Sequence, residues 1–581
     1  MGRLQNFFLY TVKLPSLLFI SPLLFSVPCP FLLPTILLVS LTLTAPYSHI
    51  VTSSNPLPSP LSLFPSIAQL LIGSFRYFES FKRKKGEPSM CSWTAAESDM
   101  VVKNRLVGFL LWQSILSSLI FLAFTITIVS WRSATAIFVS FFSFHLSQLL
   151  FSVSLSTVLS PQPKFRRSFP VLLTAAAVSG SLSAVSFCGF NGRVGFKGFA
   201  SGLFYASFYV YKRRWVLQFP IIQRPLFFSF KMGIPSAIIR ALKLSAAAYL
   251  FSALLLVFLP HHFSTDLKLG NFFIQHIISY AACFSMFLCW ELTHHLHQVL
   301  HTKKFIFAPP KGSAAAETNP SEPLLATLEE SSPASLLKYL AYLDLCMVCE
   351  NNVDYWRRAA FFEETGETYK RVAAVCLRPL EQLASKLVQG FEGSSDDKTF
   401  SISDQLQSPT NPRQNSKCHE LVNDFQVYTW SARALASLTS RSRREDRFGV
   451  AQLSGSNAAA ISTLIACLLA VETLMGKKIS LQPSHQLMGA FSTKSATFST
   501  GRRDVRTGKR RDDPLYSKAY AMADVLRTSI YGIVSAFHHE MLTSAKAGLL
   551  EKDWITSSKP PFGTRELLLQ KLHLFLDFQA S

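Results

Sequence analysis

The densest group of residues able to do chemistry is Glu291, His294, His295, His297 and His301. His297 and His301 form an HxxxH, which on a helix places two imidazoles on one face, a spacing that a metal site can use. Membrane di-iron hydroxylases need several such boxes on separate segments. His145, His261, His262 and His276 do not complete a second one, so an interfacial, non-metal role is expected. Cys346 and Cys349 form a CxxC, but no second CxxC or His pair follows at zinc spacing, and the pair sits among apolar neighbours; core packing is the expected role. The sequence shows no phosphate-binding Gly loop, GxSxG, HExxH or paired-carboxylate site. Accordingly no catalytic, cofactor-binding or metal-ligating residue is assigned, no cofactor is implied, and the chain is read as a non-enzyme.

The elements that carry these residues are dominated by apolar runs. The 581 residues are 49% hydrophobic and 16% charged, with 50 Phe; a soluble chain has about 25% charged residues, so the deficit points to lipid. Runs at 106–131, 134–160, 168–189, 244–260 and 269–290 contain no Asp, Glu, Lys or Arg, and about 20 apolar residues cross a bilayer. The run at 190–211 is the weakest, with Arg193 and Lys197 near its start, where both are expected to snorkel. Six spans over 106–291 are therefore expected. The net charge of +22 is placed accordingly. Lys103 and Arg105 precede the first span, Lys164, Arg166 and Arg167 fill the second loop, Lys212, Arg213, Arg214, Arg224, Lys231, Arg240 and Lys243 the fourth, and Lys303 and Lys304 follow the last. The first, third and fifth loops are poorer in cations. This alternation predicts both ends in the cytosol. It also explains the excess charge without nucleic acid, and no direct nucleic-acid partner is expected. The spans hold His145 and His276, with Glu291 at a span end; a pump or transporter places more ionisable groups at depth. The fourth loop, 215–239, mixes Phe, Pro and Ile with Arg and Lys. It reads either as a segment at headgroup level or as a plain connection.

Outside the spans, residues 1–89 are an atypical Ser-, Pro-, Leu- and Phe-rich extension whose first acidic residue is Glu79. It resembles a targeting segment or is foreign to the functional chain, which is expected to start near Met90, leaving 90–105 as a cytosolic leader. Residues 292–334 read as a juxtamembrane segment and linker. Residues 335–581 read as a cytosolic helical domain, with polar inserts expected to be disordered near 390–417 and 489–513. Leu336, Leu340, Leu343 and Met347 form a helical stripe, and Pro379 suits the first turn of a new helix. A further helix is expected over about 421–438. The apolar run 458–471 is only 14 residues long and is read as a buried helix rather than a seventh span. Ala519, Met522, Leu526, Ile530, Ile533, Phe537 and Met541 form a 3-4 repeat. The fold class is all-α: a six-span helical region followed by a cytosolic helical domain with disordered inserts.

The order of basic leader VVKNRLVGFLLWQ, six spans and helical half is similar to that of the pore-membrane nucleoporin family named for nuclear division cycle, member one. So is the stretch SLLKYLAYLDLCMVCENNVDYWRRAAFFEE at 335–364, followed by VCLRPLEQLASKL from Val375. This resemblance implies a structural nucleoporin that anchors the pore scaffold in the nuclear envelope and supports pore assembly and nucleocytoplasmic transport. Its implied partners are the bilayer and, through the C-terminal half, scaffold and adaptor nucleoporins. The competing readings are a multi-pass transporter or channel of an endomembrane, disfavoured by the scarcity of intramembrane charge, and a membrane metal oxygenase, disfavoured by the lone HxxxH.

Overall fold

The computed structural model describes residues 95–128, 133–162, 168–257, 269–309, 312–332, 335–392, 424–481, 514–556 and 559–580. The extension 1–89, His261 and His262, nearly all of the 390–417 insert and the whole 489–513 insert lie outside them. Among the described residues there is no strand, only one isolated bridge between Ser160 and Val216.

Six helices form the N-terminal bundle: α1 (Ala95–Ile128), α2 (Ala134–Val158), α3 (Phe169–Cys188), α4 (Gly192–Tyr211), α5 (Leu226–Val257) and α6 (Leu269–His301). All but α4 are long and apolar enough to cross a membrane. Helix α4 has 20 residues, about 30 Å of length, and packs between α3 and α5. Large apolar side chains point outward all round the bundle, among them Phe138, Leu146, Leu150, Val178, Leu250 and Ile277, as a lipid-facing surface requires.

Three helices depart from the expected bounds. Helix α1 starts at Ala95, so the cationic leader winds directly into the first span. Helix α5 starts at Leu226 rather than 244, which turns much of the fourth loop into helix. Helix α6 runs on to His301, past the expected end at 290. The reason is common to all three: charge scarcity marks where a helix enters lipid, not where its hydrogen bonding ends, and 33 residues make a rod of about 50 Å against a hydrocarbon core of about 30 Å.

The tightest contact is between α3 and α4. Asn191 caps α4 by accepting from the Arg193 backbone N–H at 3.0 Å, and Gly189, at φ 96°, makes the reversal that an L side chain would resist. A Cβ on Gly198 would collide with the Gly180 carbonyl, and one on Gly202 with the Ala176 carbonyl. Small residues four apart let the two backbones touch, which is how helices associate where lipid offers no hydrophobic drive. Polar side chains join the other neighbours. Ser117 and Ser118 on α1 lie 3.1 Å from the two ring nitrogens of His145 on α2, and Gln148 on α2 donates to Ser183 on α3 at 3.0 Å. His145 is thus an interhelical hydrogen-bonding residue.

The one-ended gathering of the connections fits six passes. Arg105 on α1 donates to the carbonyls of Leu300 (3.1 Å), His301 (2.8 Å) and Lys303 (2.8 Å) at the end of α6. Ser160 after α2 exchanges hydrogen bonds with Trp215 and Leu217 after α4. Both flanks and both even-numbered connections therefore share one end of the bundle.

The C-terminal half is helical throughout its described part. It comprises α7 (Ala314–Thr318), α8 (Glu322–Glu330), α9 (Leu336–Glu350), α10 (Tyr355–Ala359), a 3-10 turn (Ala360–Phe362), α11 (Glu367–Glu392), α12 (Phe425–Glu445), α13 (Val450–Leu453), α14 (Ser456–Leu481), α15 (Pro514–Ala536), α16 (His538–Lys546), α17 (Leu550–Trp554) and α18 (Arg565–Ala580). Helices α11, α12, α14 and α15 pack side by side, with α9 against α12. The stretch read as a linker is folded instead. Phe307, Leu324 and Leu325 are fully buried, and Arg371 on α11 pairs with Glu322 and Glu329 on α8 at 2.8 and 2.9 Å. Composition hid this, because Pro323 and Ser321 open a helix as readily as they mark a coil.

Pro379 lies inside α11 rather than at its start. Its missing N–H would have bonded the carbonyl of Val375, and the Tyr342 hydroxyl donates to that carbonyl instead, at 3.1 Å, so the helix continues. Helix α12 extends beyond its expected end to Glu445. The 3-4 repeat keeps its buried face through Phe537 and Met541, although the helix breaks between Ala536 and His538. Ser456–Met475 of α14 matches the membrane-spanning helices in length and hydropathy, but 72% of it is buried by protein, against 28–50% for the five in the bundle. It is the core helix of the C-terminal half.

Candidate functional site

The place where the two halves meet is built from residues on both. The chain leaving α4 tucks Trp215 against Phe169, ring centroids 4.5 Å apart. Gln298 on α6 donates to the Val216 carbonyl at 3.2 Å and accepts from the Gln218 backbone N–H at 3.0 Å. Phe219 then reaches the C-terminal half. Its ring stacks on Tyr339 of α9 at 5.9 Å and meets Trp430 of α12 edge-on at 5.3 Å. Asp424, at the start of α12, accepts from the Tyr339 hydroxyl at 2.7 Å and from Gln162, on the connection after α2, at 2.8 Å. Burial, and then the Asp424 carboxylate beside it, push the Tyr339 phenol above its ordinary range, so it remains a donor at neutral pH.

A second contact secures the chain leaving α6. Asp344 on α9 and Arg357 on α10 form a buried, two-pronged ion pair at 3.2 and 2.6 Å. Between them they hold the backbone of Phe307: Asp344 accepts its N–H at 2.9 Å and Arg357 donates to its carbonyl at 3.1 Å. Arg358 next to it pairs with Glu445 on α12 at 2.7 and 2.8 Å and donates to the carbonyls of Val348 and Asn351 at 3.2 and 2.6 Å. Five of these groups, Asp344, Val348, Asn351, Arg357 and Arg358, stand in the stretch 335–364 on which the family resemblance rests.

A third cluster lies within the bundle, near the same end. Glu291 on α6 is fully buried, accepts both prongs of Arg214 and the Tyr205 hydroxyl at 3.0 Å, and forms an ion pair with Arg240 at 3.3 Å. The Arg214 guanidinium also lies 5.6 Å from the centre of the Tyr209 ring. These groups join α4, the connection after it, α5 and α6. In the sequence Glu291 stands beside the histidine cluster at a span end, with nothing local that names its partner. A stronger signal was present: between Met100 and Ala316 the only acids are Asp266 and Glu291, so an acid there among many cations calls for a guanidinium partner.

The histidines expected to be interfacial are inside α6 and buried, except His295, which lies 3.1 Å from the Phe230 carbonyl. His297 and His301 stack face to face at 3.9 Å, and Phe109 packs on His297 at 4.4 Å. Stacked rings do not aim two lone pairs at one point, so the arrangement packs α1 against α6. Cys346 and Cys349 are buried in α9, and burial pushes both thiols above their ordinary range, which leaves them as apolar packing groups.

No curated protein matches the chain. The family model described as nucleoporin protein Ndc1-Nup matches residues 194–417 and 409–541, a span that opens in α4, takes in Arg214, Glu291, the Phe307 clamp and Asp424, and ends before α17. With more than half of its length matched over the residues that build the joint, this chain belongs to the Ndc1-Nup family of nucleoporins.

Proposed function

We propose that this nucleoporin is a membrane anchor for the pore scaffold: it crosses the nuclear envelope six times, keeps both ends on the cytosolic or pore side, and presents its helical half there to scaffold and adaptor nucleoporins. The observation that carries the reading is the joint. The helical half is docked by Phe219, Asp424 and Phe307 onto the bundle end where the cation-rich second and fourth connections lie, and cation-rich loops stay on the cytosolic side. A rigidly docked half transmits load between bilayer and scaffold, whereas a tethered half does not. In this role the bilayer and other nucleoporins are the partners. Catalysis, a cofactor and direct nucleic-acid recognition have no part in it, and pore assembly and nucleocytoplasmic transport depend on it indirectly.

Imaging of the full chain carrying a C-terminal fluorescent tag tests this. A punctate nuclear rim, with the tag accessible to antibody after permeabilisation of the plasma membrane alone, is expected. A plasma-membrane or plastid signal overturns the anchor. A tag protected inside the envelope overturns the orientation.

A further inference from the structure

The two ends of the bundle treat their cations differently. At the end facing the helical half, Arg214 and Arg240 are neutralised by Glu291. At the far end, Arg193 and Lys197 stand four residues apart on one face of α4, in its first two turns, and neither has an acidic partner among the described residues. The Arg193 Nε is buried with no hydrogen-bond acceptor. Lys197 does not snorkel outward as the sequence suggests. It lines a small cavity between α3, α4, α5 and α6, shared with Ser201, Tyr249, Ser252, Ser279 and Cys283. Its ammonium lies 5.5 Å from the centre of the Tyr249 ring on α5, and the Tyr249 hydroxyl lies 2.6 Å from Nδ1 of His276 on α6. Lys197 is five residues beyond the start of α4, about 8 Å along the helix. An ammonium held at that depth without an anion is costly, and a ring face offsets only part of the cost.

We propose that Arg193 and Lys197 hold the phosphate of a phospholipid headgroup at this cavity, in the leaflet opposite the helical half. A phosphate oxygen supplies the acceptors that both cations lack, and the bilayer provides it at that level. The occupied site would wedge one lipid between α4, α5 and α6, fixing the end of the bundle where the described residues form no ion pair. It rests on the bundle spanning a bilayer, not on the nuclear location or the pore partners.

The test uses the full chain purified in a neutral detergent, delipidated, and followed by thermal unfolding with two probes, short-chain phosphatidic acid and inorganic phosphate. The lipid is expected to raise the midpoint and inorganic phosphate at equal concentration to leave it unchanged. Lys197→Met should weaken the lipid response roughly fivefold or more, as loss of one cation contact implies, while Lys197→Arg keeps it. Without lipid, Lys197→Met should melt no lower than the parent chain, because an uncompensated charge has been removed. The proposal is overturned by an unchanged lipid response in Lys197→Met, by equal stabilisation by inorganic phosphate, or by a lower lipid-free midpoint in Lys197→Met. The internal alternative, Asp266 as counter-ion, is read by Asp266→Asn. That variant should keep the lipid response, and loss of the response there would also overturn the proposal.

Discussion

Arg357 shows how much of the joint depends on single buried charges. Its guanidinium is 1% exposed and serves a carboxylate and a backbone carbonyl together. Arg357→Met would leave Asp344 charged, buried and unpaired, so it should destabilise the full chain by about 3–5 kcal/mol. Asp344→Leu combined with Arg357→Met removes both charges and should recover part of that loss, because the penalty belongs to the stranded partner more than to the pair. Thermal unfolding of the two variants in detergent checks this; equal losses would show that the hold on Phe307, not the charge, dominates. The sequence displays Asp344 and Arg357 thirteen positions apart in one stretch, but nothing in it says that they meet across a turn between two helices. The same holds for Glu291 and Arg214. Scarcity of acid marks Glu291 as needing a cation, yet seven basic residues of the fourth connection were available, and only the packing of α4 and α5 on α6 selects Arg214 and Arg240.

Helix boundaries and helix contacts follow a different logic. Apolar runs located the helices of the bundle, and apolar periodicity the longer helices of the C-terminal half, because burial and period are one fact seen twice; the short α7, α8, α10, α13 and α17 went unmarked. Periodicity missed the continuation through Pro379, which depends on a hydroxyl 37 residues earlier in the chain. It also passed over the glycines of α3 and α4, whose role is to be small. Gly202→Leu should disrupt the hairpin, costing about 1–3 kcal/mol or more because the obstacle is the Ala176 backbone and not a side chain; a lowered thermal midpoint and early aggregation on size exclusion would report it. Gly532 in α15 is the contrast. A Cβ there meets nothing within 4 Å, so Gly532→Ala should stabilise the chain by about 0.5–1 kcal/mol. Charge also joins helices here. Glu472 on α14 accepts from Arg527 on α15 and Lys571 on α18, each at 2.9 Å. Burial alone would raise its carboxyl, but hydrogen bonds from Lys571 and Arg527 and their charges outweigh it and hold the carboxyl below its ordinary range. A lowered folded value means that the contribution is complete above the unfolded value of about 4.3 and is lost as pH falls through the folded one. Glu472→Gln should therefore cost about 1 kcal/mol or less at neutral pH and nothing in strong acid; parallel pH–stability curves for the two chains would refute the link.

Taken as one body, the protein differs from the tethered two-part chain that its composition suggests. A proline- and serine-rich stretch after the last span reads as a flexible link because composition reports the average tendency of a segment, while Phe307, Leu324 and Leu325 report what it packs against. The consequence is mechanical. If the helical half is fixed to the bundle at Phe219, Asp424 and Phe307, weakening one of these points should loosen the others. Phe219→Ala removes the ring shared by Tyr339 and Trp430 and should cost about 3–5 kcal/mol if the cavity does not close. Its more telling effect is on motion. Hydrogen exchange at the Phe307 amide, which is held by Asp344 and not touched by Phe219, should accelerate in Phe219→Ala, and protease cutting between α6 and α9 should increase. The bundle's own exchange, around Gly180 and Gly202, should stay as slow as in the parent chain. Faster exchange at Phe307 together with the bundle would mean that the whole chain has been destabilised. Unchanged exchange at Phe307 would mean that the two contacts act separately and that the helical half hangs on Phe307 alone. Only the intermediate pattern, a freed joint on an intact bundle, fits an anchor whose two halves move as one.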